Sequence, residues 1–132
     1  MARFVVDCGV VLRLAKEELD VPAEHTLLAP TLLRSQALSV VHESVHRGEL
    51  TPEAGRDLLR RVDALKIRLL GDGVLRRRAF EIADRLGWEE TYLAEYLALT
   101  QLQADFFVTL DRKLAAQVEG VVETAGIEAL TG

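Results

Sequence analysis

The sequence has little of the chemistry that marks a secreted or membrane-spanning protein. It holds one cysteine, Cys8, so no intramolecular disulfide can form, which fits a reducing compartment. No apolar run approaches the length of a membrane span, and the apolar start is interrupted at Asp7, so it lacks the hydrophobic region of a signal peptide. The sequence therefore predicts a cytoplasmic protein without a membrane segment.

Histidine and nucleophile chemistry is also sparse. The chain has three histidines, and it carries no phosphate-cradling glycine loop and no serine or cysteine nucleophile motif. His42 and His46 have the i, i+4 spacing of two metal ligands on one helix face, but no third ligand is apparent. The end of that helix is polar, which predicts that both side chains are exposed to solvent. Carboxylates are therefore the main candidates for a functional site.

The charge that is present is unevenly distributed. At 132 residues, with 49% hydrophobic and 28% charged residues, the chain predicts a single globular domain spanning residues 1–132. The net charge of −5 argues against a uniformly basic nucleic-acid binder. Residues 56–78 nevertheless carry eight basic and three acidic side chains, a local charge of +5 that leaves −10 for the remainder. This stretch, with Arg76, Arg77 and Arg78, is either a phosphate-attracting face for RNA or a pair of solvated helix faces.

Two short apolar runs each end in an aspartate. Residues 4–6 precede Asp7, and residues 106–110 precede Asp111. Such runs without polar alternation predict strands buried on both faces, as in a parallel sheet covered by helices. Ligand sites of open α/β sheets lie outside the carboxyl ends of the strands, so the two aspartates could meet across one crevice. The alternative is that each aspartate only caps the helix that follows it.

Strand and helix patterns alternate along the whole chain. Predicted helices cover residues 8–18, 31–46, 51–64, 74–86, 89–103 and 112–118. Further strands are predicted at residues 26–29 and 65–70, and residues 121–123 and 127–130 are predicted to be final edge strands or extended segments. This order predicts a three-layer α/β sandwich with a central, mainly parallel sheet flanked by helices. In the second helix Gln36 falls on the inward stripe with Leu33, Ala37 and Val40.

Four segments of the chain share their pattern with a known family. They are residues 4–12, 29–36, 91–99 and 108–114, which span nearly the whole chain. In this order they resemble PIN domains, and among them the VapC-type toxins of prokaryotic toxin-antitoxin operons. The resemblance implies an Mg²⁺- or Mn²⁺-dependent endoribonuclease with acidic residues at the carboxyl edge of the sheet. It also implies a homodimer and a cognate antitoxin whose tail lies over the acidic groove.

The resemblance implies four acidic site positions, and this chain has carboxylates at two of them. Asp7 and Asp111 match the first and the last position. The second, usually Glu, is Gln36, which offers one carbonyl oxygen and no charge. The third, usually Asp, is Leu93, which offers no ligand atom. The implied metal site is therefore incomplete.

Two other residues are candidates to complete this site. Glu90 lies three residues before Leu93, so within a helix it would share the face of Leu93 and supply a metal-binding carboxylate. Thr109 lies two residues before Asp111 on a strand, on the same side, where it could hydrogen-bond a metal-bound water. The simpler interpretations are a surface glutamate and a β-branched strand residue.

Two functions stay open at the level of sequence. The first is an active nuclease in which the two aspartates hold the metal and Gln36 orients water or a ligand. The second is a catalytically inactive module that binds RNA or a protein partner. Leu93 favours the second, because an aliphatic side chain removes charge from the site and dries it. Trp88 and Tyr92 are candidates either for stacking on a base or for packing.

Overall fold

The computed structural model describes residues 2–131, which form one five-stranded sheet with helices on both faces. The strands are β1 (Arg3–Val6), β2 (Thr26–Pro30), β3 (Ile67–Leu70), β4 (Phe106–Val108) and β5 (Thr124–Ala125). The helices are α1 (Cys8–Lys16), α2 (Leu32–His46), α3 (Pro52–Ala64), α4 (Gly73–Leu86), α5 (Tyr92–Gln103), α6 (Arg112–Gln117) and α7 (Glu128–Thr131). None of the helices in this described range is long and apolar enough to cross a membrane.

The sheet is parallel throughout, with the strand order β3-β2-β1-β4-β5. Val5 of β1 is aligned with Leu28 of β2 and Phe107 of β4, and all three side chains are fully buried. A strand buried on both faces needs apolar residues at successive positions, which is the pattern of residues 4–6 of β1 after Arg3. The predicted three-layer α/β sandwich is confirmed. Because β1 and β4 are neighbours, the residues that follow them lie side by side.

The C-terminal segment differs from the sequence prediction. Residues 121–123 and 127–130 are predicted as edge strands or extended segments, and neither is a strand, because the strand is β5, which lies between them. The backbone N–H groups of Val121 and Val122 both donate to the Val118 carbonyl, so this stretch is a turn that extends α6. Residues 128–131 form the short helix α7. Short apolar runs carry too few residues for periodicity to separate a strand from a helical turn.

The start of α5 also differs from the prediction. This helix begins at Tyr92, whereas the sequence predicts a start at residue 89. Gly87 adopts the left-handed conformation with φ 71°, and the Trp88 N–H donates back into the last turn of α4. Residues 88–91 are therefore a turn. The helical argument that placed Glu90 on the face of Leu93 is wrong, although Glu90 still reaches the same region.

Helices α2 and α3 approach closely because Gly55 has no side chain. A Cβ at this position would lie 2.6 Å from Val45 Cγ2 and 3.5 Å from Val41 Cγ1. Gly55→Ala is expected to lower the free energy of unfolding by about 1–2 kcal/mol, because the destabilisation by overpacking exceeds the stabilisation from the higher helix propensity of alanine. Urea unfolding measures this loss. In a protein that already carries Val45→Ala, Gly55→Ala should lower the free energy of unfolding by less. An equal decrease with and without Val45→Ala would contradict the close contact.

Candidate functional site

An open crevice of about 700 Å³ lies beside the carboxyl end of β1. Its walls come from the β1–α1 junction, from α2, from the α4–α5 turn and from the start of α5. Four positions that the sequence analysis considers for the metal site line it together, namely Asp7, Gln36, Glu90 and Leu93, and so do the two candidates for base stacking, Trp88 and Tyr92. The structure thus brings to one place residues that are as far apart in the chain as Asp7 and Leu93.

Asp7 is half-buried at the junction of β1 and α1. Its Oδ1 accepts a hydrogen bond from Val10 N at 2.9 Å, so the side chain caps α1. Burial raises the pKa of the Asp7 carboxyl, and the charge of Asp111 raises it further. Hydrogen bonds from Val10 and Thr109 oppose the shift without cancelling it. Ionised Asp7 is therefore a partly desolvated anion, which is the state that gains most from a cation.

Asp111 follows the neighbouring strand and lies next to Asp7. Val6 is paired with Val108 across β1 and β4, and the Asp7 N–H donates to the Val108 carbonyl at 3.4 Å. The two carboxylates are close enough for Asp111 to raise the pKa of Asp7. Asp111 itself is exposed, and it stands next to the crevice rather than among its lining residues.

Thr109 links the two aspartates. The Asp111 N–H donates to Thr109 Oγ1 at 3.1 Å, and the Thr109 hydroxyl lies near enough to the Asp7 carboxyl to lower its pKa. Thr109 is 7% exposed, so its hydroxyl is held in the interior between the two strand ends. The Asp111 carboxylate also accepts from Lys113 N at 2.9 Å and from Leu114 N at 3.1 Å, which caps α6. Both aspartates are thus helix caps, as one of the two sequence interpretations has it.

Gln36 points inward from α2 and is bound to a residue that the sequence did not single out. Gln36 Oε1 accepts a hydrogen bond from the Tyr96 hydroxyl at 2.5 Å. Within residues 2–131 the amide nitrogen of Gln36 has no hydrogen bond to a protein acceptor, so it can donate to solvent or to a ligand. On the same stripe Leu33 and Ala37 are buried as predicted, but Val40 is 39% exposed, which corrects its predicted inward position.

Tyr96 could have been found from its position in the helix pattern. It lies on α5 among apolar residues and is 2% exposed. A buried tyrosine normally needs a hydrogen-bond partner for its hydroxyl, so a tyrosine on a core-facing stripe indicates a polar group opposite. Burial also raises the pKa of Tyr96, so the hydroxyl stays protonated and donates to Gln36.

The remaining candidates are placed less favourably. Leu93 is half-buried in the first turn of α5 and lines the crevice, so this wall offers no ligand atom there. Glu90 is exposed in the turn before α5. None of the three candidate arginines of α4 is a lining residue of the crevice as described: Arg76 and Arg77 are exposed, and Arg78 donates to Gln101 Oε1 at 2.9 Å. Their contact with RNA stays a prediction.

The donor set decides which kind of metal site fits here. In the part of the chain that is described, no three His, Cys, Asp or Glu side chains are grouped to hold a metal ion. Two carboxylates, Asp7 and Asp111, do not fit a cation enclosed by protein ligands alone. They do fit Mg²⁺ in its usual protein setting, in which the ion keeps several waters, takes one or two carboxylates and shares a substrate phosphate.

The desolvated Asp7 carboxyl predicts a pH-dependent effect on stability. Its folded-state pKa is raised above the ordinary value of 3.8, so its contribution to stability is greatest below that value and is lost as the pH rises through the folded-state pKa. Asparagine keeps the cap without the charge. Asp7→Asn is therefore expected to raise the free energy of unfolding at about pH 7 and to leave it unchanged near pH 3. Urea unfolding at both pH values checks this, and an equal gain at both would contradict it.

Comparisons with known proteins bear on the architecture. No family model matches the chain, and no curated protein matches it. The chain is similar to the crystal structure of PAE2754 from Pyrobaculum aerophilum, with a TM-score of 0.75 and 21% sequence identity. The match covers 98% of this chain and 93% of that chain. At this level of identity the likeness establishes a shared α/β fold over almost the whole chain.

Proposed function

We propose that this chain is a PIN-like endoribonuclease of the VapC type, which hydrolyses RNA phosphodiester bonds with Mg²⁺ or Mn²⁺ at a two-carboxylate site. The observation that carries the proposal is the proximity of Asp7 and Asp111, at the carboxyl ends of adjacent parallel strands and beside an open crevice. This is where ligand sites lie in open α/β sheets. The four sequence segments that resemble PIN domains supply the reaction class.

The residues at the site would have distinct roles. Asp7 and Asp111 would hold the metal, which when bound supplies an activated water and neutralises charge on the phosphate being cut. Thr109 would help to keep Asp7 ionised, because its hydroxyl lowers the pKa of the Asp7 carboxyl. Gln36, anchored by Tyr96, lines the crevice, where its amide nitrogen can orient a water or a phosphate oxygen.

A second function is favoured by a specific observation. Gln36 already gives its carbonyl oxygen to Tyr96, and Leu93 places an aliphatic side chain in the crevice wall. Two of the four implied ligand positions therefore provide no free oxygen. These features support a PIN-fold module that binds RNA or a protein partner without cutting.

The partners implied by the resemblance belong to the same proposal. They are an RNA substrate contacted by Arg76, Arg77 and Arg78, a cognate antitoxin, and a second copy of this chain. The exposed arginines of α4 support the RNA contact. On α2, Leu38 and Val40 are exposed apolar residues, and such residues support contact with a protein partner.

Metal binding and cleavage test the proposal directly. The purified protein is titrated with Mn²⁺ by calorimetry and incubated with structured RNA, with EDTA as the matched control. Heat of metal binding together with EDTA-sensitive cleavage is the expected result. Binding of RNA with neither metal heat nor cleavage would establish the second function instead. If the protein neither binds metal nor binds or cleaves RNA, both the nuclease and the RNA-binding module are contradicted.

A further inference from the structure

We propose that the crevice holds an unpaired nucleobase of single-stranded RNA, stacked on Tyr92 and contacted by Gln36. This inference rests on the proposed function, since it names the part of the substrate that the same site takes. Tyr92 is the first residue of α5, and its side chain remains 54% exposed where it lines the crevice. An aromatic ring left this exposed contributes little to the core, whereas bases in single-stranded RNA stack on such rings.

A second aromatic wall is held rigidly beside it. Trp88 lines the same crevice, and its indole is half-buried against the core. The left-handed Gly87 and the hydrogen bond from Trp88 N to the Ala83 carbonyl at 2.9 Å fix the backbone at this point. A pre-positioned ring loses little conformational freedom when a ligand stacks on it, so binding is favoured.

The charges around the crevice favour a base over a phosphate. Asp7, Glu89 and Glu90 line it, and its lining residues, as far as the structure describes them, include neither lysine nor arginine. An acidic lining repels a phosphate that arrives without a cation, but it does not repel an uncharged base. The phosphates of the same strand would then lie at the mouth of the crevice, toward the metal held by Asp7 and Asp111.

The polar groups inside the crevice match the edge of a base. Gln36 presents an amide nitrogen that has no acceptor among the described residues, and its carbonyl is fixed by Tyr96. Glu89 contributes carboxylate oxygen to the crevice lining as an acceptor. Base edges carry donors and acceptors side by side, and unpaired bases are recognised through them. The aliphatic side chain of Leu93 favours the binding of a base, because it offers an apolar surface to a flat ligand.

The single tryptophan of the chain makes the test direct. In isotope-labelled protein one indole N–H resonance reports on Trp88, and EDTA removes metal binding and cleavage from the measurement. A short oligoadenylate is expected to shift this resonance, and an abasic oligomer of equal length and charge to bind at least about tenfold more weakly. Tyr92→Leu should weaken oligoadenylate binding by about tenfold. Phe80→Leu is the control, because it removes a ring that is 70% exposed on α4 away from the crevice.

The remaining outcomes distinguish failure of the stacking site from failure of the proposed nuclease. Equal binding of the abasic oligomer, or unchanged binding by Tyr92→Leu, would overturn the stacking site. A shift with an arginine-rich peptide and none with RNA would also overturn it, and would assign the crevice to a protein. Base-dependent binding without cleavage in Mn²⁺ would overturn the nuclease and leave the stacking site. Cleavage of RNA together with equal binding of the abasic oligomer would overturn the stacking site and leave the nuclease.

Discussion

Replacing Asp7 by asparagine is expected to reduce RNA cleavage by at least about 100-fold, because even the residues that only support metal ligands cost 10- to 100-fold when removed. Asp7 is the central carboxylate of the site, since it follows β1 in the middle of the sheet and touches both Thr109 and the crevice. Asparagine offers one neutral oxygen where Mg²⁺ prefers a carboxylate. The measurement is the rate of cleavage of structured RNA at saturating Mn²⁺.

The stability of this variant separates lost chemistry from lost structure. Asp7→Asn is expected to unfold at a higher urea concentration at about pH 7, so an inactive variant would still be a folded one. Asp63→Asn provides the matched control, since it makes the same chemical change at an exposed residue of α3. Cleavage that survives in Asp7→Asn would show that Asp7 serves only as the cap of α1.

The fold was largely predictable because its signals are local. Uninterrupted apolar residues mark β1 and β4, and Thr51 with Pro52 marks the start of α3, where Thr51 Oγ1 indeed accepts from Ala54 N. Asp72 likewise caps α4. The errors fall where few residues decide the outcome, as in β5, which is two residues long. There the pairing with β4, rather than any local pattern, selects which residues become the strand.

The site was predictable only in part, for a geometric reason. Parallel strands bring their carboxyl ends to one edge, so the proximity of Asp7 and Asp111 follows once β1 and β4 are neighbours. The bond between Gln36 and Tyr96 joins residues 60 positions apart and depends on how α2 and α5 are rotated about their axes. Glu90 reaches the crevice because the chain turns after Gly87. The spacing between Glu90 and Leu93 assumes a continuous helix and could not predict this turn.

Placing carboxylates at the two positions where the resemblance implies them, by Gln36→Glu with Leu93→Asp, is expected to tighten Mn²⁺ binding on the order of 100-fold, since affinity for hard cations rises with ligand charge. Both positions line the crevice with Asp7, so the new carboxylates would join an existing one. The Tyr96 hydroxyl can donate to a carboxylate as it does to the Gln36 carbonyl, so that substitution keeps its anchor. At Leu93 the replacement is smaller, so it needs no repacking of the crevice wall.

Thermal unfolding gives this prediction a readout that does not depend on cleavage. Without metal the double variant gathers like charges around a carboxyl that is already desolvated, so its Tm should fall below that of the parent protein. Mn²⁺ binds the folded state and should raise that Tm more than it raises the parent's. Ser35→Glu with Leu38→Asp is the matched control, because it adds two carboxylates at exposed positions of α2 outside the crevice.

The cleavage activity of the double variant separates two further cases. If the parent protein is inactive and the double variant cleaves RNA, the parent has a decayed nuclease site. If the parent cleaves RNA and the double variant cleaves it faster, the parent has a working site of reduced charge. A double variant that neither binds Mn²⁺ more tightly nor responds to it in Tm would remove the metal centre from this crevice altogether.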